Sequence, residues 1–421
     1  MSIFSLAAPT VAARATIETR TSWAVCLTAL GVAAVSYGAP VVTVVGLKQI
    51  AADLGNERSV PSLAYSLAWL GPAWGGLVMS RVAARIGVRW TVMFSALMIA
   101  IGMALASSGG RVSLLVGYGV FVGVLGNGGI NAPLYIYVSQ WFDRRRGTAL
   151  ALMGSGASVA AAIWAPIFAP LIANFGWRHT MLIFAVAELA LIVPAAFAVL
   201  APAPVATDGG EAASGPRPGE LVLGLRANTA LVLLAVASFL CCVPMAMPQG
   251  HLVAFCSDVG IPASQGALML SVLLGCAFVS RQFWGLVADR YGGVWAVFAG
   301  SACQITAMVG FLLTQNEAGL FAVSAWFGLG FSGIIPAYVL AVRELFPTSE
   351  ASWRVPMVLL FSGSGMAFGG WLAGLIYDHF GLYTAAFATG IVFNVAHLLV
   401  IGVLVWRQQR YASGPDGGAL R

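Results

Sequence analysis

Apolar stretches of about 20 residues, the length needed to cross ~30 Å of hydrocarbon at 1.5 Å per residue, recur along this whole chain. Twelve can be counted among its 421 residues, at 22–46, 60–79, 90–108, 112–139, 148–172, 180–201, 228–252, 264–284, 294–314, 320–342, 355–376 and 385–406. The fourth and tenth are long enough to tilt or to project into water. A soluble chain of this length would divide into about three domains, each needing a charged surface. With 60% hydrophobic residues and only 9% charged ones, too little charge is present to coat them. The expectation is an all-α integral membrane protein of twelve transmembrane helices.

Lys48 is the only lysine, and it lies in Leu47-Lys48-Gln49. A phosphate-binding loop of the G-K-[ST] type is therefore excluded, and no H-E-x-x-H, G-x-S-x-G or EF-hand pattern occurs. The six cysteines, Cys26, Cys241, Cys242, Cys256, Cys276 and Cys303, form no C-x-x-C pair and read as small apolar side chains. No enzyme activity, cofactor or metal is expected.

Arginine distribution sets the expected orientation, because positively charged loops resist translocation. With the N-terminus inside, the inner side holds Arg14, Arg20, Arg81, Arg85, Arg89, Arg144, Arg145, Arg146, Arg217, Arg226, Arg290, Arg343, Arg354, Arg407, Arg410 and Arg421. The outer loops hold only Lys48, Arg58, Arg111 and Arg178. Both termini are expected to be cytoplasmic. Residues 1–21 contain Glu18 and no apolar core long enough for a signal peptide, so the first span is expected to remain as an anchor. Residues 202–227, rich in Pro, Gly, Ala and acidic side chains, read as a cytoplasmic linker between six-helix bundles at 22–201 and 228–406, with a tail at 407–421.

The two halves repeat. Ala84-Arg85-Ile86-Gly87 and Asp289-Arg290-Tyr291-Gly292 lie 205 positions apart, as do Phe175-Gly176 and Phe380-Gly381. Such a parallel repeat fits a transporter with its substrate site between the halves. Gly285-Leu286-Val287-Ala288-Asp289-Arg290-Tyr291-Gly292 resembles the G-x-x-x-D-R-x-G loop motif of the major facilitator superfamily, and the copy ending at Gly87 has Ser80 and Ala84 in place of its glycine and aspartate. The resemblance implies the major facilitator fold of two pseudo-symmetric six-helix bundles, with Gly285, Asp289, Arg290, Gly292, Arg85 and Gly87 in an inner gate. There an acid and an arginine on a tight turn can pair with a neighbouring helix end.

A narrower resemblance, over nearly the whole chain, is to the monocarboxylate and oxalate/formate-type branch. It rests on Ser22-Trp23-Ala24, Ser36-Tyr37-Gly38-Ala39-Pro40, Phe142-Asp143-Arg144-Arg145-Arg146-Gly147-Thr148-Ala149, and Arg281 in span 8. The resemblance implies that Arg281 accepts a substrate carboxylate through its two-pronged guanidinium. Arg281 also lies close enough to Gly285 for the bland alternative, snorkelling to the inner headgroups. Val41 and Ala277 stand where relatives carry a lysine and an aspartate, so the usual proton-handling pair is missing. One cation suits one carboxylate, which disfavours a dicarboxylate such as oxalate.

His251 and Glu188 are the candidate proton carriers, each with a structural alternative, and His397 carries the same ambiguity. Tyr37, Asn127, Asn131, Tyr135, Ser362 and Ser364 are candidates to line a central cavity, with Tyr338 beside them; interhelical hydrogen bonding is their alternative role. The expected function is alternating-access transport of a small organic monocarboxylate with a proton across the inner membrane, by a monomer that binds no nucleic acid. An exporter of drugs or hydrophobic metabolites on the same fold, and a non-transporting sensor or scaffold, remain as alternatives.

Overall fold

The computed structural model describes residues 18–142, 145–200 and 221–412. Arg14, Arg144, Arg217, Arg421 and most of the 202–227 linker fall outside these residues. The described chain is helical throughout apart from turns and an isolated bridge between Val222 and Leu225. Hydrocarbon offers backbone N–H and C=O groups no partner, and a helix satisfies both within its own segment.

The first span is built from α1 (Arg20–Ser36), α2 (Gly38–Val45) and α3 (Leu47–Asp53), with single-residue breaks at Tyr37 and Gly46. Pro40 has no N–H for the carbonyl four residues back, which places a discontinuity beside Tyr37. Next come α4 (Ser59–Ile86) and α5 (Val88–Ser107). The long fourth span consists of α6 (Arg111–Val116), a π-helical stretch Gly117–Asn127, and α7 (Gly128–Ser139). A short α8 (Arg146–Met153) precedes α9 (Gly156–Val199), whose 44 residues bend at Gly176, where φ is 74°. The rest comprises α10 (Ala227–Asp258), α11 (Ala263–Tyr291), α12 (Gly293–Leu313), α13 (Glu317–Phe331), α14 (Ile334–Leu345), α15 (Thr348–Phe380) and α16 (Tyr383–Ala412).

Ten segments among the described residues are long and apolar enough to cross a membrane. One of them, Thr148–Val199, contains the bend at Gly176. Helix α4, 28 residues long, is not among the ten. Several helices outrun the apolar stretches that mark them: α11 reaches Tyr291 and α15 begins at Thr348. Amphipathic and charged side chains occupy these extensions.

The 205-residue register is written into the backbone. Glycines with positive φ pair at this offset three times: Gly55 and Gly260 (101° and 86°), Gly87 and Gly292 (89° and 87°), and Gly176 and Gly381 (74° and 71°). Each pair turns the chain between consecutive helices, in a conformation that a Cβ would strain. A fourth pair works by close packing. Gly123 lies against the Leu67 carbonyl and Gly71 of α4, and Gly328 lies against the Leu273 carbonyl and Cys276 of α11.

Basic side chains at the end carrying loops 54–58, 108–110 and 259–262 are all paired. Arg111 binds Glu57 at 2.9 Å, Arg178 lies 3.5 Å from Asp53, and Lys48 and Arg58 converge on Asp258. At the opposite end the Glu344 carboxylate accepts the Gly293 N–H at 2.9 Å, satisfying a donor at the start of α12.

Close approach of α4 to the π-helical stretch leaves no room for side chains at the contact. A Cβ on Gly71 would lie 2.5 Å from the Gly123 Cα, whereas one on Gly31 would meet nothing within 4 Å. Gly71→Val should lower stability by about 1–3 kcal/mol, while Gly31→Ala should be neutral or stabilising by up to ~1 kcal/mol. Thermal melts of the two purified variants in detergent measure the difference.

Candidate functional site

Arg281 sits on α11, which packs against α9. Its Nη1 donates to the Gly154 carbonyl at 2.9 Å, and its Nε is enclosed without a partner. Gly154 occupies the turn between α8 and α9, where the interrupted helix leaves its carbonyl free. The Tyr135 hydroxyl lies where a Cβ on Gly154 would stand, so the missing side chain lets α7 and Arg281 meet at one point. Arg281 forms no ion pair among the described residues. Its side chain turns toward the turn between α8 and α9.

Tyr135 begins a polar row. Asn131 and Asn127 precede it by one and two turns on the same face of α7 and the π-helical stretch. Asn131 Nδ2 donates to the Tyr37 hydroxyl at 2.5 Å, and the Tyr37 ring stacks on Trp69 of α4 with centroids 5.4 Å apart. Tyr37 is held at the α1–α2 break because the neighbouring Gly38 presses against Phe184 and Trp164 of α9, and Trp164 Nε1 bonds the Ala34 carbonyl. Asn127 is fully buried with both amide atoms unpartnered, as are the indole N–H of Trp69 and the hydroxyl of Ser66. A buried amide without partners is costly.

The structure thus brings Arg281, Tyr135, Asn131 and Tyr37 into one connected constellation and places Asn127 next along the row. Ser362 and Ser364 on α15 return their hydroxyls to the carbonyls of Val358 and Leu360, four residues back. Tyr338 is completely buried, and its hydroxyl lies 2.8 Å from His397 Nε2; His397 Nδ1 lies 2.7 Å from Ser301, which in turn donates to Asn394. These groups knit α12, α14 and α16 together and stand apart from Arg281.

His251 is buried beneath the charged loop end. Its Nε2 lies 2.8 Å from the Gly370 carbonyl and 3.3 Å from Ser62 Oγ, and its Nδ1 lies 3.0 Å from the Tyr383 hydroxyl. One tautomer satisfies the ring, with Nε2–H donating to Gly370 and Nδ1 accepting from Tyr383. Glu188 on α9 is fully buried, and neither carboxyl oxygen has a partner. Asp289 and Arg290 are exposed and join no ion pair among the described residues; Gly292, at φ 87°, turns the chain into α12. Arg85 and Gly87 are exposed at the same end.

Sequence reading missed Ser66, Trp69 and the π-helical stretch. Helix α4 is apolar on most of its circumference, so no periodicity marks the face that meets Tyr37. The closely spaced Gly117, Gly119, Gly123 and Gly126 were the available sign of irregular helix. Surface crevices lie elsewhere. One of about 550 Å³ between α9 and α11, lined by Pro166, Pro170, Ala263 and Leu268 among others, carries no charged group.

The Tyr37–Asn131 contact makes a separable prediction. A double-mutant cycle of Tyr37→Phe and Asn131→Leu should give a coupling of about 0.5–1.5 kcal/mol in thermal or denaturant unfolding. Additive effects would mean that the two groups do not bond.

The sequence profile of the Major Facilitator Superfamily matches residues 21–352. Monocarboxylate transporter 13 of Bos taurus is 28% identical over 334 residues, covering 77% of this chain and 75% of the relative. MFS-type transporter pynF of Aspergillus niger is 24% identical over 366 residues, covering 83% and 80%. Among solved structures, the nucleoside transporter NupG superposes with a TM-score of 0.73 at 12% identity, covering 91% of this chain and 99% of that one. A bacterial homologue of the human lysosomal transporter Spinster, in an inward-facing and occupied conformation, gives 0.67 at 13% identity, covering 94% and 98%.

Proposed function

Because the chain belongs to the Major Facilitator Superfamily, a family whose relatives reported above are transporters, we propose that it carries a small organic monocarboxylate by alternating access, docking the carboxylate on Arg281. The observation that carries this reading is a guanidinium placed between α11 and α9 with no carboxylate paired to it among the described residues. A guanidinium keeps its proton, so in a membrane interior it needs an anion or water. An incoming carboxylate would take the unpartnered Nε together with a terminal nitrogen now turned to the Gly154 carbonyl. Tyr135, Asn131 and Tyr37 line the approach, with Asn127 next along it. Similarity to Monocarboxylate transporter 13 of Bos taurus supports the same cargo class.

In this reading the chain crosses the inner membrane twelve times, α4 and the two arms of α9 being counted as separate spans. Its six-helix halves, 22–201 and 228–406, are joined by the cytoplasmic linker 202–227, and the tails 1–21 and 407–421 are cytoplasmic. The arginine distribution supports that orientation. The paired loop end then faces outward and is closed, while the gate residues Asp289, Arg290 and Arg85 stand unpaired on the inner side. A proton travelling with the anion would cancel the charge moved, and Glu188 and His251 would be the candidate carriers. Ser362 and Ser364 would contribute from α15 once their hydroxyls leave their own helix. A neutral hydrophobic cargo is the second reading, favoured by the uncharged crevice between α9 and α11.

Uptake of a labelled monocarboxylate into proteoliposomes tests the docking role. Arg281→Ala should lower kcat/KM by about tenfold to a hundredfold, and Arg281→Lys, which keeps the charge but loses the fork, should fall between it and the parent. Transport unchanged in both variants refutes the assignment.

A further inference from the structure

Helix α4 begins without a cap of its own. Arg58 occupies the cap position, no side chain from its own segment bonds the first turn, and Pro61 has no N–H to offer. The missing acceptor comes from another helix 320 positions away in sequence. Asp378 of α15 takes the Arg58 N–H on one carboxylate oxygen at 2.7 Å and the Ser59 N–H on the other at 2.9 Å. A carboxylate at a helix N-terminus satisfies orphaned donors and complements the helix dipole.

The Arg58 side chain leads into the same group of helices. Its guanidinium makes a two-pronged contact with Asp258 at the end of α10, at 2.5 and 2.8 Å, and lies 3.6 Å above the Tyr377 ring of α15. The side chain is only 9% exposed. Lys48 of α3 adds a second cation, 2.9 Å from Asp258 and 3.0 Å from Ser257 Oγ. Directly beneath, Ser62 of α4 approaches His251 of α10. Two cations on the α3–α4 side thus face two anions on the α10–α15 side.

We propose that this cluster is a latch in which Asp378 acts as a cap supplied in trans, so that α4 has a capped N-terminus only while this end of the bundle is closed. Parting the two sides exposes two backbone N–H groups and separates two positive from two negative charges. The latch therefore biases the protein toward the arrangement closed at this end, whatever the cargo. The repeat supplies an internal contrast. Asp53 stands 205 residues before Asp258, but it binds Trp177 Nε1 at 2.9 Å and Arg178 at 3.5 Å, both on α9. Among the described residues Asp53 itself bonds neither α10 nor α15.

The test reads accessibility at Ser62, which is 1% exposed behind the cluster. Ser62→Cys is introduced into the full chain, and the rate of its alkylation by a hydrophilic maleimide is followed by peptide mass spectrometry on detergent-purified protein, where the reagent reaches both ends. Adding Asp378→Ala should accelerate labelling about tenfold to a hundredfold, as expected for losing two charge-assisted hydrogen bonds. Asp378→Asn, isosteric and left with one carbonyl oxygen, should give a smaller acceleration with an unchanged melting temperature. Asp53→Asn should leave the rate at that of the parent. Labelling that stays at the parent rate in both Asp378 variants overturns the proposal. So does equal acceleration by Asp53→Asn, which would mark a general loosening. Neither result depends on Arg281 or on the cargo, so the latch and the docking site can fail separately.

Discussion

Hydrocarbon gives an ionised side chain no partner, so every charge carried into a helical bundle must be matched inside it, neutralised, or met by something that arrives. The molecule meets this constraint in three ways. Lys48 and Arg58 are matched by Asp258 at one end. Glu188, whose buried oxygens have no hydrogen-bond partner among the described residues, is a carboxyl and can hold a proton. Arg281 can do neither, because a guanidinium does not give up its proton and none of the ion pairs includes it. On the proposed reading its counter-ion is the cargo itself.

The repeat explains why these groups occur where they do. Paired glycines at the 205-residue offset give the two halves the same turns, and Gly123 and Gly328 give them a similar tight helix contact. Function enters where the pattern is broken. Arg281 has Gly76 as its counterpart, so the first half has no cation at the equivalent position. Asp258 reaches across to Arg58, while Asp53 stays with α9. A scaffold of matched turns lets single unmatched side chains carry distinct tasks.

Much of this architecture was legible in residue order. The apolar stretches and the turn glycines located the helices, and Gly285 to Gly292 with the Arg281 neighbourhood pointed to the family. The fourth span was recognisable as unusually long, but its π-helical turn was not, because hydropathy does not distinguish one helical hydrogen-bond pattern from another. Ser362 and Ser364 read as cavity groups, yet their hydroxyls bond their own helix. Tyr338 read as a neighbour of the site and is instead tied to His397. In an apolar helix a polar residue signals that it needs a partner without saying which helix supplies it.

The sequence by itself determined that the chain is a helical membrane protein, where along it most of its helices lie, and that two halves share one register. These follow from local chemistry: apolar length, glycine turns and charge scarcity act within a segment or its immediate neighbours. Only the tertiary structure decided that Asp378 caps a helix 320 residues away, that Gly154 offers Arg281 a carbonyl, and that Tyr37 and Asn131 join. Those contacts depend on the rotation and depth of each helix against its neighbours. Close packing at small residues sets both, and helices that are apolar nearly all round leave no periodic pattern to announce them.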